Sequence, residues 1–171
     1  MACILVVIEL YEKQLILYIL YRMIMNYLFP NYLDNEYKGK KIPLYFFYVI
    51  IPVTIIRSFI HLFAPDGGAQ SIANIPLYLY SNQGSDTIVH LFSEWGLSQL
   101  LFGLLYIVVL IKYKSLIPLM YLFLVIEYST RVLLAVYKPV VLEGYAPGGI
   151  ANYFLVPLFV ILFILSLKKN R

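Results

Sequence analysis

Long apolar segments, separated by short polar or Gly/Pro-rich stretches, dominate the chain. Four of them approach or exceed the roughly 20 predominantly apolar residues that a helix needs to cross a bilayer. A transmembrane β-barrel would instead alternate apolar and polar residues in segments of about ten. The pattern therefore predicts an all-α membrane protein, a four-helix bundle that forms one domain over residues 1–171. The predicted spans are residues 42–64, 87–113, 116–138 and 151–167.

The first thirty residues are apolar but interrupted by charges. The interrupting residues are Glu9, Glu12, Lys13 and Arg22. A span over residues 15–29, just before Pro30, would contain only about fifteen residues, which is short for the hydrocarbon core. The pattern favours an N-terminal interfacial helix on the cytoplasmic surface over residues 1–30, with a short or partly inserted span as the alternative.

Composition and charge placement exclude a soluble domain and orient the chain. Hydrophobic residues make up 62% and charged residues 13% of the sequence, against about 45–50% and 25% in soluble domains. The net charge of +4 comes from basic residues at 38–41, 112–114 and 168–171, whereas residues 65–86 and 139–152 contain no Lys or Arg. Basic loops of membrane proteins are cytoplasmic, so we expect a cytoplasmic C-terminus and no nucleic-acid partner. The single cysteine, Cys3, excludes an internal disulfide.

Two similar Gly/Pro phrases fall in the predicted outer loops: APDGGAQSIAN at residues 64–74 and APGGIAN at residues 146–152. Pro ends a helix and Gly-Gly tolerates unusual backbone angles, so each phrase is expected to turn the chain outside the membrane. Their similar surroundings suggest two related helical hairpins, although Gly/Pro turns also look alike by chance. The short connection at residues 112–115 predicts a tight hairpin of the second and third spans.

Three of the predicted spans carry two ionisable residues four positions apart. These pairs are Arg57 with His61, His90 with Glu94, and Glu127 with Arg131. Residues at this spacing share a helix face, and ionisable groups in spans usually face the bundle interior. At 1.5 Å per residue, Arg57, Glu94 and Arg131 each lie about 10 Å below the predicted outer boundary. We therefore expect a cross-helix cluster of charges at one depth.

This predicted cluster has two interpretations. Two arginines and two glutamates sum to zero charge, so the cluster can be a buried ion-pair network that only holds the helices in register. Alternatively, it is a polar pocket open to the outer side, in which Arg57 and Arg131 hold an anion. His61 and His90 would then titrate near its mouth, while Asp66 would either face the mouth or cap its own turn.

Catalysis and metal binding are further interpretations of the same residues. Burial raises a carboxyl pKa, so Glu94 with His61 or His90 defines the alternative of a membrane-embedded enzyme. The sequence contains no phosphate-binding loop, nucleophile elbow or dinucleotide motif, so no cofactor can be named. The His, Glu and Asp side chains suit zinc, but two nearby arginines disfavour a cation, and no metal site is predicted.

The function that these residues favour is non-enzymatic. We expect the polar cluster in the outer half of the bundle to bind an anionic or amphipathic ligand, or a partner subunit. The alternatives are the enzyme just described and a small transporter that acts as an oligomer. Expected partners are the lipid bilayer, a lipid or small anionic ligand, and a partner membrane subunit or a second copy. The expected location is a bacterial cytoplasmic membrane.

A stretch in the middle of the chain resembles a known family. Residues 93–136, SEWGLSQLLFGLLYIVVLIKYKSLIPLMYLFLVIEYSTRVLLAV, resemble the central hairpin of DoxX-like small four-span membrane proteins. The matching elements are Glu94, Gly96 and Gly103 in one span, a short basic turn, and Arg131 late in the next. The N-terminal extension and the long first outer loop depart from that family. The resemblance implies a four-span fold more than a chemistry.

Overall fold

The computed structural model describes residues 2–169, and the side chains of residues 11–19, 21, 22 and 24–169 among them. Over these residues the protein has five α-helices and no strand, so the all-α prediction is confirmed. Arg171 and the side chains of Cys3 and Glu9, which entered the predictions above, lie outside the described part. The helices are α1 Ala2–Leu28, α2 Lys41–Phe63, α3 Asn82–Lys112, α4 Ile117–Tyr137 and α5 Pro147–Ser166.

Four of these helices, α2 to α5, are long and apolar enough to cross a membrane, which fits a multi-pass membrane protein. The predicted ends of α2 and α4 agree with the structure to within one residue. Both α3 and α5 begin earlier than predicted, because their first turns are polar or Gly-rich and do not extend the apolar pattern. The Ser81 hydroxyl caps α3 by accepting from the Gly84 N–H at 3.2 Å, and Pro147 occupies the first turn of α5, where its missing N–H is not needed.

The spans pack as two hairpins, α2 with α3 and α4 with α5. Although only the 3₁₀ turn Lys114–Leu116 and its flanking residue connect α3 to α4, these two helices touch at few positions, so the predicted tight hairpin of the second and third spans is wrong. Two glycines of α3 allow its close pairing with α2. A Cβ on Gly96 would lie 2.7 Å from the Cβ of His61, and one on Gly103 would lie 2.5 Å from Ile55 Cδ1, so both glycines let α3 approach α2 closely.

The hydrophobic core lies in the half of the bundle nearest the basic loops. It joins the two hairpins, and the Tyr121 hydroxyl within it donates to the Pro43 carbonyl at 2.6 Å. The opposite halves of the hairpins contribute no member to this cluster and instead enclose a cavity, described below. The core side chains are Phe47, Ile51, Tyr106, Val109, Ile117, Met120, Tyr121, Leu124, Phe159 and Leu162.

The two loops at the other end of the bundle bond to each other. The Asn74 carbonyl accepts from the Glu143 N–H, and the Asn74 side-chain amide donates to the Tyr145 carbonyl, both at 2.8 Å. The Tyr78 hydroxyl also donates to the Glu143 carboxylate at 3.0 Å, which raises the pKa of Tyr78. These loops therefore tie the outer ends of the two hairpins together.

Only the first Gly/Pro phrase forms the predicted turn. Gly67 and Gly68 have φ values of 58° and 75°, in the left-handed region that favours glycine. In the second phrase Gly148 and Gly149 are helical and belong to the first turn of α5, after α4 has already ended at Tyr137. The expectation that both phrases turn the chain is therefore wrong for the second one.

Helix α1 makes few contacts with the four spans. It contacts the beginning of α4 and the preceding 3₁₀ turn, at the end of the bundle where the basic loops lie. The described side chains of residues 11–19 are all exposed. A helix over the N-terminal segment is thus present, and its placement on the cytoplasmic membrane surface stays a prediction.

Candidate functional site

A cavity of about 350 Å³ lies between the outer halves of the two hairpins, beneath the joined loops. We call it the outer cavity. All four spans line it: α2 contributes Arg57 and His61, α3 contributes Trp95, and α4 contributes Arg131 and Ala135, while the first two turns of α5 close one side. Apolar loop residues at 72–75 and 139–142 complete the wall. Its volume falls in the range of about 300–1,000 Å³ that is typical of small-molecule sites.

The indole of Trp95 brings two guanidinium groups together. The Cζ atom of Arg57 lies 5.4 Å from the centroid of the Trp95 ring, and that of Arg131 lies 4.7 Å from it. Both distances are within the range of about 6 Å for cation–π attraction. Residues far apart in the sequence and on different hairpins thus meet at one aromatic side chain. From the sequence, an interfacial or core role for Trp95 is favoured and a pocket wall is the alternative; the structure places Trp95 in the wall of the cavity.

The charges in this region do not form the predicted cross-helix ion network. Arg131 pairs with Glu127 on its own helix, and these side chains remain 18% and 39% exposed, so the pair is not a buried one. Arg57 forms a hydrogen bond with a neutral partner, since its Nε donates to the Gln99 side-chain oxygen at 3.2 Å, and Glu127 acts on it electrostatically without forming a direct ion pair. The lining of the outer cavity contains both arginines and His61 but no carboxylate. The cavity is therefore an electropositive one.

His61 anchors the first outer loop to the cavity wall. Its Nδ1 lies 2.7 Å from the Gly67 carbonyl oxygen, which can only accept a hydrogen bond, so Nδ1 carries the proton. In the neutral form of the ring, the lone pair is on Nε2. The imidazole is only 3% exposed and lies 4.7 Å from the Trp95 ring, centroid to centroid. His61 thus lies beside Arg57 in the cavity lining, as predicted, and its hydrogen bond to Gly67 also holds the first outer loop.

Glu94 and His90 do not join this site. Their side chains are 62% and 72% exposed, and the Glu94 carboxylate lies 3.8 Å from His90 Nε2. On an α-helix, adjacent residues point about 100° apart. Because Trp95 faces the cavity, Glu94 points away from it. Gly96 and Gly103 fix that rotation by packing against α2. Of the residues predicted to meet, the structure brings together Arg57, His61, Glu127 and Arg131.

Asp66 caps its own turn. Its carboxylate accepts from the backbone N–H groups of Gly68 at 2.9 Å, Gln70 at 3.1 Å and Ser71 at 2.6 Å. Partial burial alone would raise the pKa of Asp66, but the hydrogen bonds from Ser71 and Gly68 outweigh that effect and lower it. Of the two roles considered for Asp66, the local cap is the one that the structure shows.

We expect this cap to make the loop sensitive to acid. Because the folded-state pKa of Asp66 is depressed, its stabilising effect is present above the unfolded value of about 3.9 and is lost as the pH falls through the folded value. Asp66→Asn should lower the free energy of unfolding by about 1 kcal/mol at pH 7, allowing for solvent exposure. Thermal unfolding in detergent at pH 7 and below pH 3 measures this. A difference from wild type that persists at the lower pH would contradict the assignment.

Two residues at this site lack an ionisable group: Trp95, for which the sequence favours an interfacial or core role over a pocket wall, and Gln99, which was missed from the sequence. Gln99 is 6% exposed, and its side-chain nitrogen is buried without a partner among the described residues. It lines a second cavity of about 30 Å³ together with Arg57, Glu127 and Tyr128. This space suits about one or two waters. The spacing of Trp95 and Gln99, four residues apart, was the available signal.

In the part of the chain that the structure describes, no three His, Cys, Asp or Glu side chains are grouped as metal ligands would be. Comparisons of the chain with protein-family models, with curated proteins and with solved structures find no match.

Proposed function

We propose that this membrane protein binds an anionic amphiphile, a molecule with a carboxylate or phosphate group and an apolar portion, in the outer cavity. One observation carries the proposal: Arg57 and Arg131 converge on Trp95 in a cavity whose lining has no carboxylate. Glu127 pairs with Arg131 outside the lining, so Arg57, Arg131 and Glu127 together carry a net charge of +1, and this positive charge favours an anion from outside the protein. The proposal keeps the predicted orientation, with the outer cavity near the extracytoplasmic side.

The chemistry of the lining supports both halves of such a ligand. Guanidinium groups bind carboxylate and phosphate oxygens with a planar fork of donors, and they are more weakly hydrated than an ammonium group. The rest of the wall is mostly apolar, with Ile72, Val140 and Leu142 among its residues. The charged group of the ligand would lie at the arginines, and its apolar portion would lie along these side chains.

The structure favours binding over the enzyme alternative for a specific reason. The residue proposed to act as an acid or base, Glu94, is exposed and does not line the outer cavity. His61 does line it, but its Nδ1 is already engaged with the Gly67 carbonyl. The described lining therefore offers a ligand no carboxylate, hydroxyl or thiol group, and His61 is the side chain there that could accept a proton.

Filling the cavity tests the proposal without altering its charges. Ala135 lies one turn beyond Arg131 and lines the cavity, so the phenyl ring of Ala135→Phe should occupy ligand space. Native mass spectrometry of protein extracted with its own lipids should show a retained anionic species on the wild type and roughly ten-fold less on this variant. Val136→Phe is the matched control, because Val136 is 75% exposed and lies outside the lining.

Two results would refute the proposal. One is that the wild type carries no anionic species and binds no added alkyl phosphate or alkyl carboxylate. The other is that Ala135→Phe retains as much of the bound species as Val136→Phe does.

A further inference from the structure

A third cavity, of about 550 Å³, lies at the opposite end of the bundle, where the basic loops are. We call it the inner cavity. Four separate parts of the chain line it: the end of α1 with Asn26 and Tyr27, the segment at residues 36–39, the beginning of α4 at Pro118, and Lys169 after α5. The charged and polar lining of this cavity is not part of the site proposed above.

Two lysines, one before and one after the four spans, line the inner cavity. Lys38 precedes the first span and Lys169 follows the last, and both line the cavity together with one carboxylate, Glu36. The charged residues of the lining therefore sum to +1. The neighbouring surfaces are apolar or aromatic, with Tyr27, Tyr37 and Pro118 among them. A lining with a net positive charge and apolar or aromatic side chains matches a charged headgroup that continues into hydrocarbon.

The walls of the inner cavity are held in place by contacts between segments. The Ser115 hydroxyl donates to the Asp34 carbonyl at 3.0 Å and accepts from the Asp34 N–H at 3.2 Å, which fixes the loop before α2 to the turn before α4. The Lys40 N–H donates to the Leu165 carbonyl at 3.2 Å. Such contacts preform the cavity, and preformed sites lose less conformational entropy on binding.

Gly39 allows the closest of these contacts. A Cβ at Gly39 would collide with the Ser166 carbonyl oxygen and with the Tyr37 hydroxyl. The absence of that atom lets the segment that carries Lys38 lie directly against the end of α5, which brings Lys38 and Lys169 to the same cavity. Glycine at this position is thus a requirement of the site's geometry.

We propose that the inner cavity binds a phosphate group of an anionic membrane lipid. Lysine ammonium groups bind phosphate as point charges, and basic pockets between helices on the cytoplasmic side are suited to anionic headgroups. The cavity lies at the end of the candidate spans, where a headgroup would be, since Pro118 is the second residue of α4 and the polar residues Glu36 and Lys38 lie outside the spans. A lipid held there would also contact α1, which otherwise touches the bundle at few positions.

The test compares lipids and matched charge variants by native mass spectrometry of the full chain in detergent. The wild type is titrated with phosphatidylglycerol and with phosphatidylcholine of the same chain length. In detergent no anionic bilayer surface attracts distant lysines, so a lysine contributes only where it contacts the headgroup. With roughly five-fold for each such contact, Lys38→Gln with Lys169→Gln should weaken phosphatidylglycerol binding about 25-fold. Lys112→Gln with Lys114→Gln removes the same charge from the same end of the bundle but outside the cavity, and it should change binding by less than about three-fold.

The outcomes separate this site from its alternatives and from the outer cavity. Equal losses in the two double variants, or equal binding of the two lipids by the wild type, would overturn the proposal. Glycerol phosphate, which has no acyl chains, is the soluble competitor. If it displaces the lipid at equal concentration, the assignment to a lipid is overturned. Neither pair of lysines lines the outer cavity, so these variants do not affect the test of the outer cavity with Ala135→Phe, and either proposal can fail without the other.

Discussion

Replacing both Arg57 and Arg131 with glutamine is expected to weaken binding of an anionic amphiphile to the outer cavity by at least about 100-fold. Each arginine offers charge-assisted hydrogen bonds, which are worth about 1.5–3 kcal/mol apiece when the site is desolvated. Both guanidinium groups lie against Trp95, so the two losses fall on the same ligand group. Titration of the purified protein with dodecyl phosphate, followed by native mass spectrometry or calorimetry, measures the change.

Two further variants make this result interpretable. Glu94→Gln also changes one charge in the outer half of the bundle, but Glu94 is exposed on the far side of α3, and its variant should bind within about two-fold of the wild type. Arg57→Lys with Arg131→Lys keeps both charges and should recover part of the affinity. If Glu94→Gln weakens binding as much as the arginine variants do, the outer cavity is not the site.

Gly96→Leu is expected to have the largest effect on the fold. A Cβ at this position would lie 2.7 Å from the His61 Cβ and 3.1 Å from the Leu62 backbone nitrogen, and backbone atoms cannot move aside without separating α2 from α3. Overpacking of this kind costs typically 1–3 kcal/mol, and a leucine adds three more carbons to the clash. We expect a loss of about 3 kcal/mol or more in the free energy of unfolding, measured by thermal or SDS-induced unfolding in detergent.

Ser98→Leu is the matched control for this variant. It places the same side chain two residues further along α3, at an exposed position where serine bonds only to the Glu94 carbonyl. An apolar side chain on this outward face is compatible with lipid, so the stability should stay within about 0.5 kcal/mol of the wild type. If both leucine variants unfold alike, close packing at Gly96 is not what holds α2 and α3 together.

The sequence alone was sufficient for the helical class and the four spans. Continuous apolar runs of this length satisfy their backbone hydrogen bonds internally only as helices in a membrane, so the pattern leaves few alternatives. The ends of α2 and α4 were predicted to within one residue, whereas the polar first turn of α3 and the Gly-rich first turn of α5 hid the true starts. Span orientation and the resemblance to DoxX-like proteins stay predictions.

The candidate site was only partly predictable. The spacing of four between Arg57 and His61, and between Glu127 and Arg131, correctly places each pair on one helix face, and three of these residues line the outer cavity. The same spacing for His90 and Glu94 carries no information on which way α3 is rotated. The spacing of ionisable residues also gives no information on Trp95, which contacts both arginines, or on Gln99, which bonds to Arg57.

The number of spans, their apolar character and the presence of charges within them follow from the order of residues, because burial in hydrocarbon imposes length and composition on each helix separately. Helix pairing and rotation were decided by tertiary contacts, chiefly the close approach at Gly96 and Gly103. That rotation turns Trp95 inward and Glu94 outward, so it leaves a cavity with two arginines and no carboxylate. The apolar pattern of a single sequence cannot specify the rotation of α3 about its axis to within about 100°, since α3 is apolar on most of its surface.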